Sequence, residues 1–415
     1  MIYKVKNKNY GGKICIPSSK SDSQRAILAA GLCTKISKIQ NVGKSADEKV
    51  MLKAIEDLGA KITKNEDNSI SIQGVNYLNN EIEISCGESG LSSRLLISVS
   101  SVFDKKIKLS ASGSLLNRSM KLVFDILPTI NVEINSNEDF LPATVKGPIK
   151  SGEITIDGSM SSQFLSGLLM ALPLVKGDST IHVENLTSTP YIEMTLNTLS
   201  KFGIFIENKN NNKFFIKGNQ VYKKTDYTIE GDWSSASYWL VASALGKEIE
   251  VFGLLKESLQ ADKLILTALK NANCEIIWSS NSLKVKGKQR KAFEFDATHC
   301  PDLFPALASL AALTNGISRI KGVHRLKYKE SDRGKSIQEE FQKLGVKVQF
   351  EEDLMLIHGT KIIEGGKVFA HHDHRIAMCL AILGMFSQSE IEIENAESVT
   401  KSYPNFWEDL EGLEL

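Results

Sequence analysis

The chain has 415 residues, of which 42% are hydrophobic and 24% charged, and 50 Lys+Arg against 49 Asp+Glu give a formal net charge of +1. This balance gives no electrostatic reason to expect a nucleic-acid or membrane-surface partner, and the longest apolar run, 376–386, is shorter than the roughly 18 residues that a membrane span requires. The six cysteines include no C-x-x-C pair, so we expect reduced thiols, a cytoplasmic location and two or three domains rather than a zinc or disulfide framework.

The chain begins with IYKVKNKNYGGKICI, which predicts a β-hairpin with no helix before it. Five more hairpins are predicted, each with two short alternating strands around a polar tip. They end at Gly74, Gly147, Gly218, Gly287 and Gly359. These glycines are 73, 71, 69 and 72 residues apart, which indicates an internal repeat of about seventy residues.

Two helices are predicted in each repeat. One precedes the hairpin and is amphipathic, as in KVMLKAIEDLGA, MTLNTLSKFGI and SIQEEFQKLGV. The other opens the repeat and is polar only in its first turn, before an almost wholly apolar run. Its six copies align at Arg25, Arg94, Phe164, Ser237, Leu303 and Arg375. A helix that is apolar on all sides is buried, so these are predicted to be six core helices.

The repeat count predicts the domain organisation. There are six pairs of helices but only five hairpins after them, so we expect the N-terminal hairpin to complete the sixth unit. The predicted fold is α/β (α+β), with three units in residues 17–225 and three in 1–16 plus 226–415. Two crossings near residues 16 and 226 would join the domains and act as a hinge.

The polar first turns of the core helices predict anion binding. Helix N-termini present unpaired N–H groups and the positive end of the helix dipole. Serine and aspartate there are explained by capping alone, but the charge of an arginine opposes the dipole. Three arginines in one aligned column therefore indicate a bound anion. The residues selected at these helix starts are Lys20, Ser21, Arg25, Gly90, Arg94, Ser161, Ser162, Gln163, Asp302, His374 and Arg375.

The segment KESDR, residues 329–333, places a carboxylate between cations. Glu330 between Lys329 and Arg333 suits proton transfer beside an anionic substrate. A solvated helix start capped by Ser331 is the alternative that this segment alone leaves open.

The run of three histidines and an aspartate at 371–374 resembles a metal site, but alternation along an extended segment would divide its ligands between two faces. No metal is predicted there.

Six motifs in order between residues 17 and 407 identify a family. They are PSSKSDSQRAILAA, SSQFLSGLLMALPL, GDWSSASYWL, KESDR, HDHRIAM and TKSYPNFW. Together they resemble the 5-enolpyruvylshikimate-3-phosphate synthase (3-phosphoshikimate 1-carboxyvinyltransferase) family. The resemblance implies two similar domains, each a threefold repeat of βαβαββ units (an inverse α/β barrel), which close on substrate.

The same resemblance implies the reaction. The enolpyruvyl group of phosphoenolpyruvate would be transferred to the 5-hydroxyl of shikimate 3-phosphate through a tetrahedral intermediate, releasing phosphate, as a step of aromatic amino-acid biosynthesis. The partners would be these two small molecules, with no metal or organic cofactor, and the protein would be a monomer.

Site residues follow from the motif positions. The resemblance implies that Asp302, Glu330 and Lys20 are catalytic. Shikimate 3-phosphate would be bound by Lys20, Ser21, Arg25, Ser161, Ser162, Gln163, Ser188, Tyr191, Asp302 and Lys329. Phosphoenolpyruvate would be bound by Lys20, Gly90, Arg118, Gln163, Arg333, His374, Arg375 and Lys401. Arg94 would support these contacts.

One motif departs from the family pattern, and two other functions stay open. Many members carry Asn-Ala-Gly-Thr-Ala-Met-Arg where this chain has residues 88–94, ESGLSSR. Glu88 and Leu91 therefore leave the response to phosphonate inhibitors such as glyphosate open. The alternatives are a UDP-N-acetylglucosamine enolpyruvyl transferase, which would have a Lys-Asn pair near its N-terminus and a loop cysteine, and a non-catalytic phosphoanion-binding homologue, which would have lost Lys20 or Asp302.

Overall fold

The computed structural model describes residues 1–75, 82–159, 162–327 and 329–415. The chain forms two compact units. One is Ser18–Ile229, and the other combines Met1–Pro17 with Glu230–Leu415. In the described ranges, no helix is long and apolar enough to cross a membrane.

The helices of the described residues are named in chain order. They are α1 (Lys20–Gly31), α2 (Ala46–Asp57), α3 (Gly90–Ser100), α4 (Lys121–Ile126), α5 (Ser162–Ala171), α6 (Thr189–Lys201), α7 (Trp233–Leu245), α8 (Ile265–Asn271), α9 (Phe304–Ala312), α10 (Arg333–Lys343), α11 (His374–Gly384) and α12 (Phe406–Gly412). Short 3₁₀ helices lie at Gly113–Asn117, Leu127–Ile130, Leu172–Leu174, Ala261–Leu264, Pro301–Leu303, Val323–Arg325 and Ala396–Lys401.

The strands are named in the same way. They are β1 (Ile2–Val5), β2 (Gly11–Cys15), β3 (Ile36–Gln40), β4 (Lys61–Lys64), β5 (Ile70–Gln73), β6 (Ile82–Ser85), β7 (Lys106–Ser110), β8 (Glu133–Asn137), β9 (Phe140–Lys146), β10 (Glu153–Asp157), β11 (Ser179–Glu184), β12 (Ile206–Lys209), β13 (Lys213–Ile216), β14 (Asp226–Thr228), β15 (Glu248–Phe252), β16 (Cys274–Trp278), β17 (Ser282–Gly287), β18 (Glu294–Asp296), β19 (Ile317–Lys321), β20 (Val348–Glu351), β21 (Leu354–His358), β22 (Gly366–Phe369) and β23 (Ile391–Glu394).

The unit Ser18–Ile229 contains three four-stranded sheets, with strand orders β14-β3-β5-β4, β6-β7-β9-β8 and β10-β11-β13-β12. Each sheet joins a parallel pair to an antiparallel hairpin, as in β6–β7 and β8–β9. The core helices α1, α3 and α5 are buried along almost their whole length. Their apolar residues form one continuous core with the inner faces of the sheets.

The other unit repeats this plan. Its sheets have the orders β16-β17-β15-β2, β18-β19-β21-β20 and β1-β23-β22, and its core helices are α7, α9 and α11. The five hairpins predicted after the helix pairs are confirmed, because β4–β5, β8–β9, β12–β13, β16–β17 and β20–β21 all pair antiparallel. The six predicted core helices are confirmed as well.

The predicted N-terminal hairpin is wrong. Strand β1 pairs antiparallel with β23, Ile2 opposite Glu394, whereas β2 pairs parallel with β15, Gly11 opposite Glu248. The two strands therefore belong to different sheets. Alternation of side chains identifies a strand but not its partner, and here both partners are far along the chain.

The glycines that end the five hairpins share one tertiary contact. Each lies against a backbone carbonyl at or after the C-terminal end of a core helix. A Cβ would come within 1.5–2.3 Å of that oxygen at Gly74, Gly147, Gly218, Gly287 and Gly359. None of the five has the left-handed backbone that favours glycine. The repeat therefore requires glycine at these five positions because there is no space for a Cβ beside the carbonyl oxygen.

Replacement of Gly359 tests this steric explanation of the repeated glycines. In Gly359→Ala the new Cβ would lie 1.5 Å from the Thr314 carbonyl oxygen, so backbone must move, and we expect a loss of about 1–3 kcal/mol or more in the free energy of unfolding. Gly412→Ala is the control, because nothing lies within 4 Å of that position and alanine favours a helix by about 0.5–1 kcal/mol. Chemical denaturation measures both, and equal stabilities would contradict the steric account.

Candidate active site

Polar side chains tie the core helices of Ser18–Ile229 together near their N-terminal ends. Gln24 of α1 donates from Nε2 to the Oγ atoms of Ser89 and Ser92 at 2.8 and 2.6 Å. Arg94 of α3 donates from one terminal nitrogen to Gln163 Oε1 of α5 at 3.1 Å. The first turns of α1, α3 and α5 are thus held together, and their N–H groups and polar side chains are concentrated in one region.

Arg25 fixes α1 to α6. Its Nε donates to Thr195 Oγ1 at 2.8 Å, and its terminal nitrogens donate to the carbonyls of Ser21 and Tyr191 at 2.7 and 3.2 Å. The side chain is 1% exposed, and burial lowers the pKa of Arg25 to about 10. Ser188, at the start of α6, is buried with a left-handed backbone, φ 57°. Arg25 therefore positions two of the predicted binding residues, Ser21 and Tyr191.

Lys20 pairs with Asp47, an acidic residue that the sequence analysis did not select. The distance from Lys20 Nζ to Asp47 Oδ2 is 3.0 Å, and both side chains are largely buried. Asp47 stands in the first turn of α2, within the capping box that Ser45 and Glu48 form. This ion pair fixes the direction of the Lys20 side chain.

Gly90 and Arg118 are in close contact. A Cβ at Gly90 would lie 2.7 Å from an Arg118 terminal nitrogen, so a side chain at this position would displace the guanidinium from its present place. Glu88, the departure from the family motif, accepts from the backbone N–H and the Oγ of Ser114 at 3.1 and 3.0 Å. It anchors the 3₁₀ helix that ends beside Arg118. Burial, and next the charge of Arg118, lower the pKa of Arg94 to about 9.

The second cluster, in the other unit, is built around Arg333. Its Nε donates to Asp373 Oδ2 at 2.7 Å. Its terminal nitrogens donate to Asp302 Oδ1 at 2.6 Å and Glu330 Oε2 at 2.5 Å. Burial alone would lower the pKa of this 1% exposed side chain, but the three carboxylates hold it well above its ordinary value. Arg333 is permanently charged and matched by anions on three sides.

Asp302 is surrounded by cations. Its carboxylate lies 2.6 Å from Arg333, 3.0 Å from Arg375 and 3.3 Å from Lys329. Burial would raise the pKa of Asp302, but the charges of Arg375, Lys329 and Arg333 hold it well below its ordinary value. Burial lowers the pKa of Lys329, and Asp302 opposes that change. Asp302 is therefore ionised and, in this arrangement, a weak base.

Asp373 is a second acidic residue that the sequence analysis missed. It is fully buried, caps α11 by accepting from Arg375 N–H at 2.9 Å, and binds Arg333. In the sequence it stands out only as part of the run at 371–374 that resembles a metal site. His374 and Lys401 are buried in the same unit.

Among the described residues, one group of potential metal ligands consists of Glu339, Glu340 and His371, with ligand atoms within 4.8 Å of one another. Glu340 already accepts from His371, from the Phe369 N–H and from Lys343, which lies within 2.9 Å of both its oxygens. This makes it part of a structural ion pair.

The structure thus gathers the predicted residues into two clusters, one in each unit. Ser18–Ile229 holds Lys20, Ser21, Arg25, Gly90, Arg94, Arg118, Ser162, Gln163, Ser188 and Tyr191, and the other unit holds Asp302, Lys329, Glu330, Arg333, His374, Arg375 and Lys401. Ser161, also predicted to bind phosphate, lies outside the described residues.

Comparison with known proteins gives concordant results. The family model described as "EPSP synthase (3-phosphoshikimate 1-carboxyvinyltransferase)" matches residues 5–410. A 3-phosphoshikimate 1-carboxyvinyltransferase of Clostridium kluyveri is 40% identical over 404 residues, covering 97% of this chain and 95% of the relative. That of Clostridium acetobutylicum is 40% identical over 407 residues, with coverages of 97% and 95%. An EPSP synthase structure from Acinetobacter baumannii has the same fold, with a TM-score of 0.84, 24% identity, and coverages of 100% of this chain and 98% of that one.

Neutralising Asp373 tests the importance of the buried charges. Asparagine also caps helices, so Asp373→Asn removes mainly the charge that faces Arg333. We expect a loss of about 3–5 kcal/mol in the free energy of unfolding, as for other broken buried ion pairs. Asp332→Asn is the matched control, because Asp332 caps α10 but its ion pair with exposed Lys335 spans 3.8 Å. Its loss should stay below about 1 kcal/mol. Equal losses by denaturation would refute the account.

Proposed function

The chain belongs to the EPSP synthase (3-phosphoshikimate 1-carboxyvinyltransferase) family, and we propose that it transfers the enolpyruvyl group of phosphoenolpyruvate to the 5-hydroxyl of shikimate 3-phosphate, with release of phosphate. The observation that carries this proposal at the level of residues is the Asp302 carboxylate, held within 3.3 Å of three cations. A proton acceptor beside anion-binding groups is what an addition of a hydroxyl to an anionic enol phosphate requires.

We assign the first cluster mainly to shikimate 3-phosphate. Ser161, Ser162 and Ser188 would bind its phosphate, and Lys20, Ser21, Arg25, Gln163, Tyr191, Asp302 and Lys329 would also contact this substrate. The concentration of helix N-termini beside buried cations supports this assignment, because N–H groups and cations together favour a phosphate.

We assign phosphoenolpyruvate to arginines and their neighbours. Gly90, Arg118, Arg333, His374, Arg375 and Lys401 would bind it, with Lys20 and Gln163 shared between the substrates. Arginine suits both of its anionic groups, since the guanidinium binds phosphate and carboxylate bidentately. The contact between Gly90 and Arg118 supports the assignment, because it places a guanidinium against the N-terminal end of α3.

Asp302 would act as the base in the addition step. Its carboxylate takes the proton of the 5-hydroxyl as that oxygen bonds to C2 of phosphoenolpyruvate and C3 gains a proton. Phosphate then leaves C2 as C3 returns a proton, which restores the double bond. We propose that Glu330 and Lys20 exchange the proton at C3.

Substrate binding would itself activate this base. In the free protein, Arg375, Lys329 and Arg333 hold the pKa of Asp302 low. The anions of phosphoenolpyruvate would compete with Asp302 for Arg333 and Arg375. Because a carboxylate that loses cationic neighbours becomes more basic, the base would be strong mainly when substrate is present.

The monomeric state and the cytoplasmic location expected from the sequence belong to the same proposal. Sedimentation and cell fractionation would measure them.

A phosphate-release assay tests the function. We expect inorganic phosphate from phosphoenolpyruvate only when shikimate 3-phosphate is present. Release that required UDP-N-acetylglucosamine instead would assign the chain to the sibling reaction, and binding without release would favour a non-catalytic homologue.

Removal of the base is a second test. Asp302→Asn should still bind shikimate 3-phosphate, measured by calorimetry, but its turnover should fall by about 10²–10⁴-fold, as for the loss of a general base. Asp296→Asn is the control, because its exposed carboxylate pairs only with exposed Lys321 at 3.2 Å among ion pairs of the described residues. Near-normal turnover of Asp302→Asn would remove the assigned role.

A further inference from the structure

Asp262 is a buried carboxyl group that the mechanism above does not use. It lies in the 3₁₀ helix Ala261–Leu264 and is 3% exposed. Ser234 of α7 donates its hydroxyl to Asp262 Oδ2. Oδ1 is also buried, and it has no hydrogen-bond partner among the described residues. An ionised carboxylate with an unsatisfied oxygen is unfavourable in such a place.

The charged groups around Asp262 come from three elements. Asp302 and Asp232 are like charges, Arg375 of α11 is an opposite one, and the thiol of Cys300 is close enough to feel the carboxylate. Burial, and next the charge of Asp302, raise the pKa of Asp262 to about 7, although Arg375 opposes the change. Near neutral pH, Asp262 is therefore partly protonated while Asp302 is ionised.

Arg375 is only partly engaged by protein groups. One terminal nitrogen donates to Asp302 at 3.0 Å, but its buried Nε has no hydrogen-bond partner among the described residues. Arg333 differs, because three carboxylates cover it. Of the two arginines, Arg375 has the donor that a new anion can use without displacing a protein carboxylate.

We propose that Asp262 is a positioning residue for phosphoenolpyruvate: its protonated form leaves the positive charge of Arg375 to an anionic group of the substrate, and its ionised form opposes the binding of that group as a like charge. The inference rests on the proposed function, since it concerns the affinity of the same cluster for the same substrate. Its distinguishing feature is an effect on substrate binding that depends on pH.

The pH profile of Asp262→Asn measures this effect. At saturating shikimate 3-phosphate, kcat/KM for phosphoenolpyruvate is measured from about pH 6 to about pH 9. We expect the wild-type value to fall, relative to the variant, as the pH rises through about 7. The ratio of variant to wild type should grow by on the order of tenfold, through KM rather than kcat, because a like charge is removed from an anion site.

Asp125→Asn is the control for the substitution itself. Its carboxylate is exposed and pairs only with exposed Lys121 among the ion pairs of the described residues, so it should follow the wild type at every pH. A purely structural role of Asp262 would lower activity by a constant factor across the range. Parallel profiles of wild type and Asp262→Asn would therefore overturn the proposal.

Thermal unfolding provides a readout that does not need turnover. The pKa of Asp262 is higher in the folded protein than the value of about 3.9 in an unfolded chain. Between about pH 4 and 7 the unfolded state binds fewer protons, so wild-type stability falls as the pH rises through this window. Asp262→Asn lacks this loss, and its Tm relative to wild type should rise from about pH 5 to about pH 8.

Together these measurements separate the two hypotheses. If the wild type releases no phosphate, the proposed function fails, and calorimetric titration with phosphoenolpyruvate in the presence of shikimate 3-phosphate replaces kcat/KM across the same pH range. A pH-dependent affinity difference between wild type and Asp262→Asn would then still support the role of Asp262. If the Tm curves of wild type and Asp262→Asn diverge while their affinities are equal, Asp262 does take up a proton, but the proposed effect of that proton on substrate binding is refuted.

Discussion

A helix that is buried on every side can carry charge only at its ends, and this constraint shapes both units. Helix α11 begins with His374 and Arg375 and is then apolar and fully buried to Gly384. Helix α1 follows the same rule after Arg25. Because the interior has no place for a charged group without a partner, the reactive side chains of the core helices are confined to their first turns. The fold thereby concentrates its polar chemistry before any specific role is considered.

Arginine at such a position is opposed by the helix dipole, so its charge needs compensation. In the unit that contains α11, carboxylates supply it. Asp373 binds Arg333 and caps α11, and Asp302 bridges Arg333 and Arg375. These ion pairs stabilise the free protein, but they also keep Asp302 weakly basic. Anionic substrates that replace some of these contacts would couple their own binding to the activation of the base.

Local patterns explain which features the sequence could predict. The five hairpins follow from alternation with a period of 2 residues, and the core helices from apolar runs behind a polar first turn; both patterns are readable within a dozen positions. The partner of an isolated strand is not local, so the N-terminal hairpin was wrong. Asp47, Asp262 and Asp373 act through contacts with residues 27 to 40 positions away in the sequence, and no periodicity marks them. The repeated glycines were visible as a spacing, but their cause is a tertiary approach to a carbonyl oxygen.

The repeat also shows how one backbone position acquires different electrostatics. Arg94 and Arg375 occupy the same aligned column. Arg94 donates to neutral groups, Gly90 O and Gln163, and burial with the nearby Arg118 lowers its pKa. For Arg375 burial acts in the same direction, but Asp302 raises the pKa. An anion bound near Arg94 and Arg118 would relieve the repulsion between these two cations. An anion bound near Arg375 would have to share that guanidinium with the Asp302 carboxylate. Under the proposed assignment, the first cluster would therefore bind an anion without displacing a protein carboxylate, whereas the second would exchange a protein carboxylate for the substrate anion.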